Sequence, residues 1–431
     1  MRLIGNRAIS IFALSLFGIC ILVVFQNCTD FKTTNSQLSA SADNQDTLPD
    51  NQLPERDPFF GVHIDLIWEL DNENRDEDLA LIIDSLVDLG VGSLRIPIRW
   101  RVIDPQGSNC SSDDPYAELT PNEANIKKVL KHIDAVPANI DILVYLTAPP
   151  DSCIELIKTN PVRFSRHYSD YVEKVVKTVG YRVKNYEVWN EQNNNHFALE
   201  VPNKSNWTAW NFAQYILVPG YAAVKNASAG EARAIMGGLV YNGIVGHYDP
   251  SEPPENSSRN RDIFYVAPDF LQTTITALQE ENIHQNLCGE SDCFDAIGIH
   301  PYWYGGVDLF GEDMYYNPIE QTYGEAGTAS VLASNGHNKG IWWTEFGEHA
   351  AYDVESEEEQ AASLLNVMQA AQMMRTAPEA QAQPLERVFW FILRDNSKGT
   401  SQSSPGLLDS ENRKRPAYEA YKEFIKNNQI L

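Results

Sequence analysis

The chain predicts one closed (β/α)8 TIM barrel over residues 59–431, an α/β fold preceded by an export signal and a polar tether. Three features carry that expectation. Short β-branched and aromatic runs alternate eight times with longer segments of helical periodicity. At 431 residues and 43% hydrophobic content the chain can enclose one full-sized core, and barrels of this kind run from about 200 to more than 400 residues. Glu191 and Glu345 each stand where such a run stops, and the C-terminal ends of parallel barrel strands all open onto one face.

Taken in order, 59–64 is the first strand, and an amphipathic helix near 77–89 follows, ended by Gly90 and Gly92. The second strand is 94–98. Thr120-Pro121-Asn122-Glu123 reads as an N-cap, a first-turn proline and the reciprocal acidic cap of the next helix. After the third strand, 140–146, Ala148-Pro149-Pro150 forces the chain out of regular structure. A helix over 164–178 leads to the fourth strand, 182–189. Helices near 210–225, 268–280 and 326–334 precede strands at 232–239, 294–299 and 340–344. A helix over 357–374, a strand at 387–393 and a helix at 416–426 complete the count. Eight alternations favour a closed barrel over an open doubly wound sheet. The long loops after strands two, five and six, near 104–117, 241–262 and 303–323, would shape a cleft at the open face.

The first residues have a different texture. Residues 1–7 are basic, 8–25 almost entirely apolar and 29–56 polar, so 1–28 reads as a signal or lipoprotein signal and 29–58 as a disordered tether. The apolar run of about eighteen residues is marginal for spanning a bilayer, so a retained anchor stands beside a cleaved signal. Val23-Val24-Phe25-Gln26-Asn27-Cys28 resembles a bacterial lipoprotein signal, in which Cys28 is lipidated, with Gln26 and Asn27 in place of the usual small residues. All three readings export the barrel, either as a cell-surface or periplasmic lipoprotein or anchored protein, or as a secreted one. Export permits disulfides among Cys110, Cys153, Cys288 and Cys293. Cys288 and Cys293 can close a short loop, and Cys110 and Cys153 follow adjacent strands. Four cysteines still allow three pairings, and no zinc-type spacing accompanies them.

The net charge of −26, from 59 acidic and 33 basic residues, excludes a nucleic-acid partner, because no Lys/Arg stripe reverses the field. It favours a neutral or cationic substrate. His63, His300 and His349 lack His-Glu-x-x-His or facial-triad spacing, Gly-x-Ser-x-Gly is absent, and no Gly-rich nucleotide loop follows a strand. No metal and no cofactor is therefore expected, and the oligomeric state is left open. What remains is a pair of carboxyls at strand ends. Cleaving a glycosidic bond needs a proton for the departing oxygen and negative charge near the developing oxocarbenium ion, which such a pair supplies. Glu191 suits the proton donor, with the Asn190 amide beside it for a sugar hydroxyl and the Trp189 ring expected beneath it as a shield from water. Glu345 suits the nucleophile. Spacing in sequence does not separate the retaining from the inverting arrangement.

Trp189-Asn190-Glu191-Gln192-Asn193 and Trp343-Thr344-Glu345-Phe346-Gly347 resemble the signature of clan A retaining glycoside hydrolases, most like family 39 or the related family 5. The resemblance spans 59–427. It implies that Glu191 is the acid/base, Glu345 the nucleophile and Asn190 a substrate-binding amide. It further implies that Arg95 supports the nucleophile, that His300 lies near the sugar or the acid/base, and that Tyr302 contacts the nucleophile. Trp390 would floor the sugar subsite, with Trp303 and Tyr304 extending the platform and His63 a further binding residue. Each accessory also has a structural reading: Arg95 as a salt-bridged residue, His300 and Trp390 as core, Trp303 as a surface aromatic. Gln192 stands where proline is common. The expected activity is retaining hydrolysis of a β-linked glycan, with the long loops favouring internal cleavage of a polysaccharide. An exo-acting β-glycosidase and a noncatalytic carbohydrate-binding protein are the alternatives.

Overall fold

The computed structural model describes residues 55–65, 75–112, 114, 116–193, 209–240, 267–280, 288, 292–302, 304–307, 313–316, 318–325, 327–347, 356–395 and 405–428, within the unit Asp50–Leu431. The signal segment, Cys28 and nearly all of the expected tether lie outside them. Among the described residues no helix is long and apolar enough to cross a membrane.

Among the described residues ten strands form: β1 Phe60–His63, β2 Ser93–Pro97, β3 Asp141–Leu146, β4 Asn185–Val188, β5 Arg233–Val240, β6 Ala296–His300, β7 Tyr304–Val307, β8 Asp313–Tyr316, β9 Gly340–Phe346 and β10 Leu385–Trp390. Eight of them close a barrel in the order β1-β10-β9-β6-β5-β4-β3-β2, with every described pairing parallel. The other two, β7 and β8, make an antiparallel hairpin directly after β6, within a segment the sequence presents as a loop. Tyr304-Gly305-Gly306-Val307 has too little β-branched character to announce a strand.

The eight principal helices are α1 Arg75–Leu89, α2 Glu123–Ala135, α3 Pro161–Val179, α4 Val218–Ala227, α5 Ala267–Leu278, α6 Thr328–Ser334, α7 Glu357–Thr376 and α8 Pro416–Asn428. Their boundaries follow capping chemistry. In α3, Asn160 accepts a hydrogen bond from Arg163 N at 3.1 Å, and Pro161 occupies the first turn. Ser356 does the same for Glu359 N in α7, whose first turn holds three glutamates against the helix dipole. The cap of α2 is Asn122 rather than Thr120, with Asn122 Oδ1 accepting from Asn125 N at 3.1 Å. Pro121 thus precedes the helix instead of opening it. A further helix, Asp151–Thr159, was not expected.

Strand alternation sorts the core. Phe60, Val62, Leu94, Ile96, Tyr186, Val188, Trp343 and Val388 point outward into the large cluster shared with the helices. Leu143, Ile235, Ala296, Trp342 and Phe389 form a second cluster inside the barrel. Trp342 plugs this interior, its indole donating to Glu386 Oε2 at 2.8 Å and the Arg233 and Arg387 guanidiniums lying 5.2 and 5.3 Å from its ring. Fully burying an aliphatic or Phe side chain stabilises by about 1.5–3 kcal/mol, and the two clusters give the open end a rigid floor. Disulfides join Cys110 to Cys153 and Cys288 to Cys293. Cys110 and Cys153 sit on short helices, Ser108–Ser111 and Asp151–Thr159, rather than in irregular loops.

Candidate active site

Arg95 organises the open end of the barrel. It sits on β2, opposite His63 of β1 and Leu143 of β3 in register, with no exposed surface. Its Nε donates to Glu187 Oε2 at 2.6 Å and its Nη2 to Asn190 Oδ1 at 2.6 Å. Its Nη1 donates to His63 Nδ1 at 2.8 Å and to Glu345 Oε1. The guanidinium lies 4.1 Å from the centre of the Tyr145 ring. One planar cation thereby ties five strands together, which the fork geometry of arginine allows and a lysine would not. Burial by itself would lower the Arg95 pKa, but the carboxylates of Glu187 and Glu345 outweigh it and the net shift is upward.

His63 responds in the opposite sense. Burial first, then the charges of Arg95, Arg99 and His300, hold its pKa well below the ordinary 6.5. The ring is therefore neutral at pH 7 and accepts the Arg95 bond at Nδ1, so its 3.6 Å approach to Glu345 is not an ion pair. Further round the mouth, Arg99 pairs with Asp65 at 2.8 Å.

Regular alternation would not place the two glutamates as they are found. On β4, Glu187 faces in and Val188 out. Trp189 and Glu191 then adopt left-handed φ values of 77° and 48°, so that Asn190 and Glu191 both reach the mouth. Such conformations are uncommon for non-glycine residues and concentrate at functional sites. On β9, Trp342 and Thr344 face in, and plain alternation would send Glu345 out. The β9–β10 register shifts between Val388 and Trp390, opposite Trp343 and Phe346, so β9 carries an extra residue there. That bulge turns Glu345 inward, as bulges beside active sites do.

The two carboxyls have different surroundings. Glu345 accepts from Arg95 at Oε1 and from the Tyr302 hydroxyl at Oε2, 2.9 Å away. Tyr302 is fixed from behind by Gln321 Nε2, which donates to its carbonyl at 2.7 Å. Glu191 Oε1 lies 2.9 Å from His300 Nδ1, and the Glu191 N–H donates to Gly238 O at 2.9 Å. One atom each of Glu191, His300 and Glu345 fall within 4.8 Å of one another. This triad is the one group among the described residues with donors close enough for a metal ion. Its donors are turned toward protein partners: His300 Nδ1 toward Glu191, and both Glu345 oxygens toward Arg95 and Tyr302.

The structure brings together Glu191, Glu345, Asn190, Arg95, His300, Tyr302 and His63. Trp390 does not join them. It is 1% exposed, donates to Pro405 O at 3.1 Å and packs edge-on against Phe346 in the outer core. The strand period sets this: Phe389 faces in, Trp390 out and Phe391 in again. Phe391 is the aromatic at the mouth, half-buried, its ring 4.9 Å from that of His63. Trp189 likewise turns outward, edge-on to Tyr168 of α3 at 5.6 Å, instead of lying beneath Glu191. Trp303 lies outside the described residues, as do 241–262. The sequence reading missed Glu187, whose signal was a carboxylate at an inward position of β4, and Phe391, whose signal was alternation past Trp390.

No protein-family model matches the chain and no curated protein does. Solved structures do. A family 39 glycoside hydrolase from the gut symbiont Bacteroides cellulosilyticus WH2 aligns at 17% identity and TM-score 0.51, over 88% of this chain and 64% of that one. The chain thus spans less than two thirds of that protein's length. A glycoside hydrolase family 5 subfamily 18 structure from Streptomyces cattleya, in complex with GlcNAc, aligns at 15% identity and TM-score 0.54 over 87% of this chain and 81% of that one. A monomeric β-xylosidase from Caulobacter crescentus CB15 aligns at 13% identity and TM-score 0.55, over 86% and 68%. At these identities the likeness is one of fold: the barrel is of the type seen in clan A glycoside hydrolases of families 5 and 39.

Proposed function

We propose that the chain is a retaining glycosidase acting on a β-linked glycan. One observation carries the reading: carboxyl oxygens of Glu191 and Glu345 within 4.8 Å of each other. That lies with the retaining separation of about 5–5.5 Å rather than the inverting one of about 6.5–9.5 Å, which must admit a water. Glu345, with a cation and a phenol on its two oxygens, is the nucleophile. Glu191, beside His300, protonates the leaving oxygen and then activates water against the glycosyl-enzyme. Asn190, its oxygen held by Arg95, presents its NH2 group to a sugar hydroxyl, and Phe391 takes the platform role expected of Trp390.

On substrate length we adopt the alternative left open by the sequence, removal of terminal sugars. It is supported by the structural neighbours described as a β-xylosidase from Caulobacter crescentus and a β-glucosidase from Trichoderma harzianum. Export of the barrel, whether as lipoprotein, anchored protein or secreted protein, is supported by the two disulfides, which persist in oxidising compartments. Mass spectrometry of the mature N-terminus would distinguish lipidated Cys28, simple cleavage and retained Met1.

Nuclear magnetic resonance of the first-formed product anomer, on a panel of aryl β-glycosides and β-glucans, tests the mechanism. Retained configuration is expected, together with loss of all turnover in Glu345→Ala and azide rescue of Glu191→Ala. Net inversion would rule out the double displacement, and chain-internal fragments as first products would restore the endo reading.

A further inference from the structure

The β4–β5 backbone ladder ends at Val188 and Met236, yet β5 runs on to Val240, still paired with β6. The polar groups of 237–240 that face the departed β4 need other partners, since buried backbone groups are costly when unpaired. The Glu191 N–H donates to Gly238 O at 2.9 Å, and side chains of the same segment supply the rest. Glu187 Oε1 accepts from Gly238 N at 2.7 Å, and Gln192 Nε2 donates to Gly237 O at 2.7 Å. Asn193 then makes a two-point bond to a single residue: Oδ1 accepts from Val240 N at 3.0 Å and Nδ2 donates to Val240 O at 2.8 Å. A primary amide carries its donor and acceptor side by side, as a strand neighbour would, so Asn193 stands in for the missing rung. Gln192 and Asn193 are both buried.

Val240 is also the register partner of His300 on β6, and His300 holds Glu191. A closed ring results: Glu191 to Asn193 along the chain, Asn193 to Val240 by its amide, Val240 to His300 across the ladder, and His300 back to Glu191. The left-handed turn at Glu191 is held on the backbone side by its own N–H, which donates to Gly238 O at 2.9 Å, and on the side-chain side by this ring. Resting on the glycosidase reading, we infer that Asn193 is a positioning residue for Glu191, setting the Glu191–His300 geometry on which proton delivery to the leaving group depends. A catalytic group displaced by on the order of 1 Å loses about a hundredfold in rate.

The test compares wild type, Asn193→Ala and Asn193→Asp on one aryl β-glycoside series, from dinitrophenyl to alkyl leaving groups, with Glu191→Ala as reference. Protonation matters for poor leaving groups and little for dinitrophenolate. Asn193→Ala should therefore lose on the order of tenfold or more in kcat/KM on alkyl and phenyl glycosides but less than about threefold on the dinitrophenyl substrate, a weaker copy of the Glu191→Ala pattern. Asn193→Asp keeps the acceptor for Val240 N, and regains the donor only when protonated. It should fold even where the alanine variant does not, and its deficit on phenyl glycosides should shrink as pH falls. Equal losses across the series, or losses that track melting temperature alone, would overturn the inference while leaving the glycosidase reading intact. A wild-type protein inert on every glycoside would overturn both.

Discussion

Replacing Arg95 with methionine keeps an unbranched apolar stem but removes the cation from between Glu187 and Glu345. Glu345 has 8% of its side chain exposed and keeps the Tyr302 bond, whereas Glu187 has none exposed and is left with the Gly238 N–H. Removing one partner of a buried ion pair costs about 3–5 kcal/mol, because the other charge stays buried without compensation. With an unfolding entropy of about 2.1 cal/mol/K per residue over roughly 370 barrel residues, or about 0.8 kcal/mol/K, the melting temperature should fall by about 4–6 °C. Thermal and urea unfolding followed by circular dichroism would measure this on the oxidised protein. Adding Glu187→Gln removes the stranded charge and keeps an acceptor for Gly238 N–H, so the double variant should recover at least about half of the loss. A single variant melting within about 1 °C of wild type would refute the idea that Arg95 holds the site by charge. So would a double variant no more stable than the single.

Gly238→Ala would put a Cβ 2.1 Å from His300 Nε2 and 2.7 Å from Thr344 Oγ1. The imidazole must then leave Glu191, and the expected result is a folded protein weakened by about 1–3 kcal/mol with at least tenfold lower turnover, on the order of lost acid catalysis; unchanged activity would argue against His300 serving Glu191. His63 predicts a pH dependence. The unfolded chain takes up its proton near 6.5 while the folded ring resists protonation, so its contribution is complete above that pH and lost on acidification, at no more than about 1.4 kcal/mol per pH unit. His63→Asn should flatten the fall in stability between about pH 7 and 5, read from melting curves at matched ionic strength. The Cys110–Cys153 bridge closes a separation of 43 residues, for which chain entropy gives about 4 kcal/mol. A Cys110→Ser, Cys153→Ser variant should lose a comparable amount in denaturant titration, and wild type with reductant, which opens Cys288–Cys293 as well, should lose at least as much.

The barrel was legible because hydrophobic periodicity reports burial, and all eight barrel strands fall within a few residues of their expected places. Glu191 and Glu345 were legible as carboxylates where apolar runs stop. What the pattern could not carry was direction at the strand ends. The extra residue in β9 and the left-handed turns at Trp189 and Glu191 reset the alternation that binary patterning assumes, and no residue type announces them. For the same reason Trp390 drew attention by its size while Phe391, one position on, faces the mouth. The helix Asp151–Thr159 went unread because Pro149-Pro150 reads as a stop, although proline is equally at home just before a helix.

The company that Arg95 keeps also sets the sign of the field in the cleft. His63 is held neutral and Arg99 is engaged by Asp65, so Arg95 is the principal cation facing Glu187, Glu191 and Glu345 among the described residues. Arg95 bonds both Glu187 and Glu345, one cation against two carboxylates. A fixed surplus of this kind favours a ring that becomes cationic and disfavours one that arrives anionic. Protonated iminosugars should accordingly bind well above their neutral lactam counterparts, and glycosides bearing a uronate at the cleaved residue should be poor substrates whatever the hydroxyl pattern of the preferred sugar.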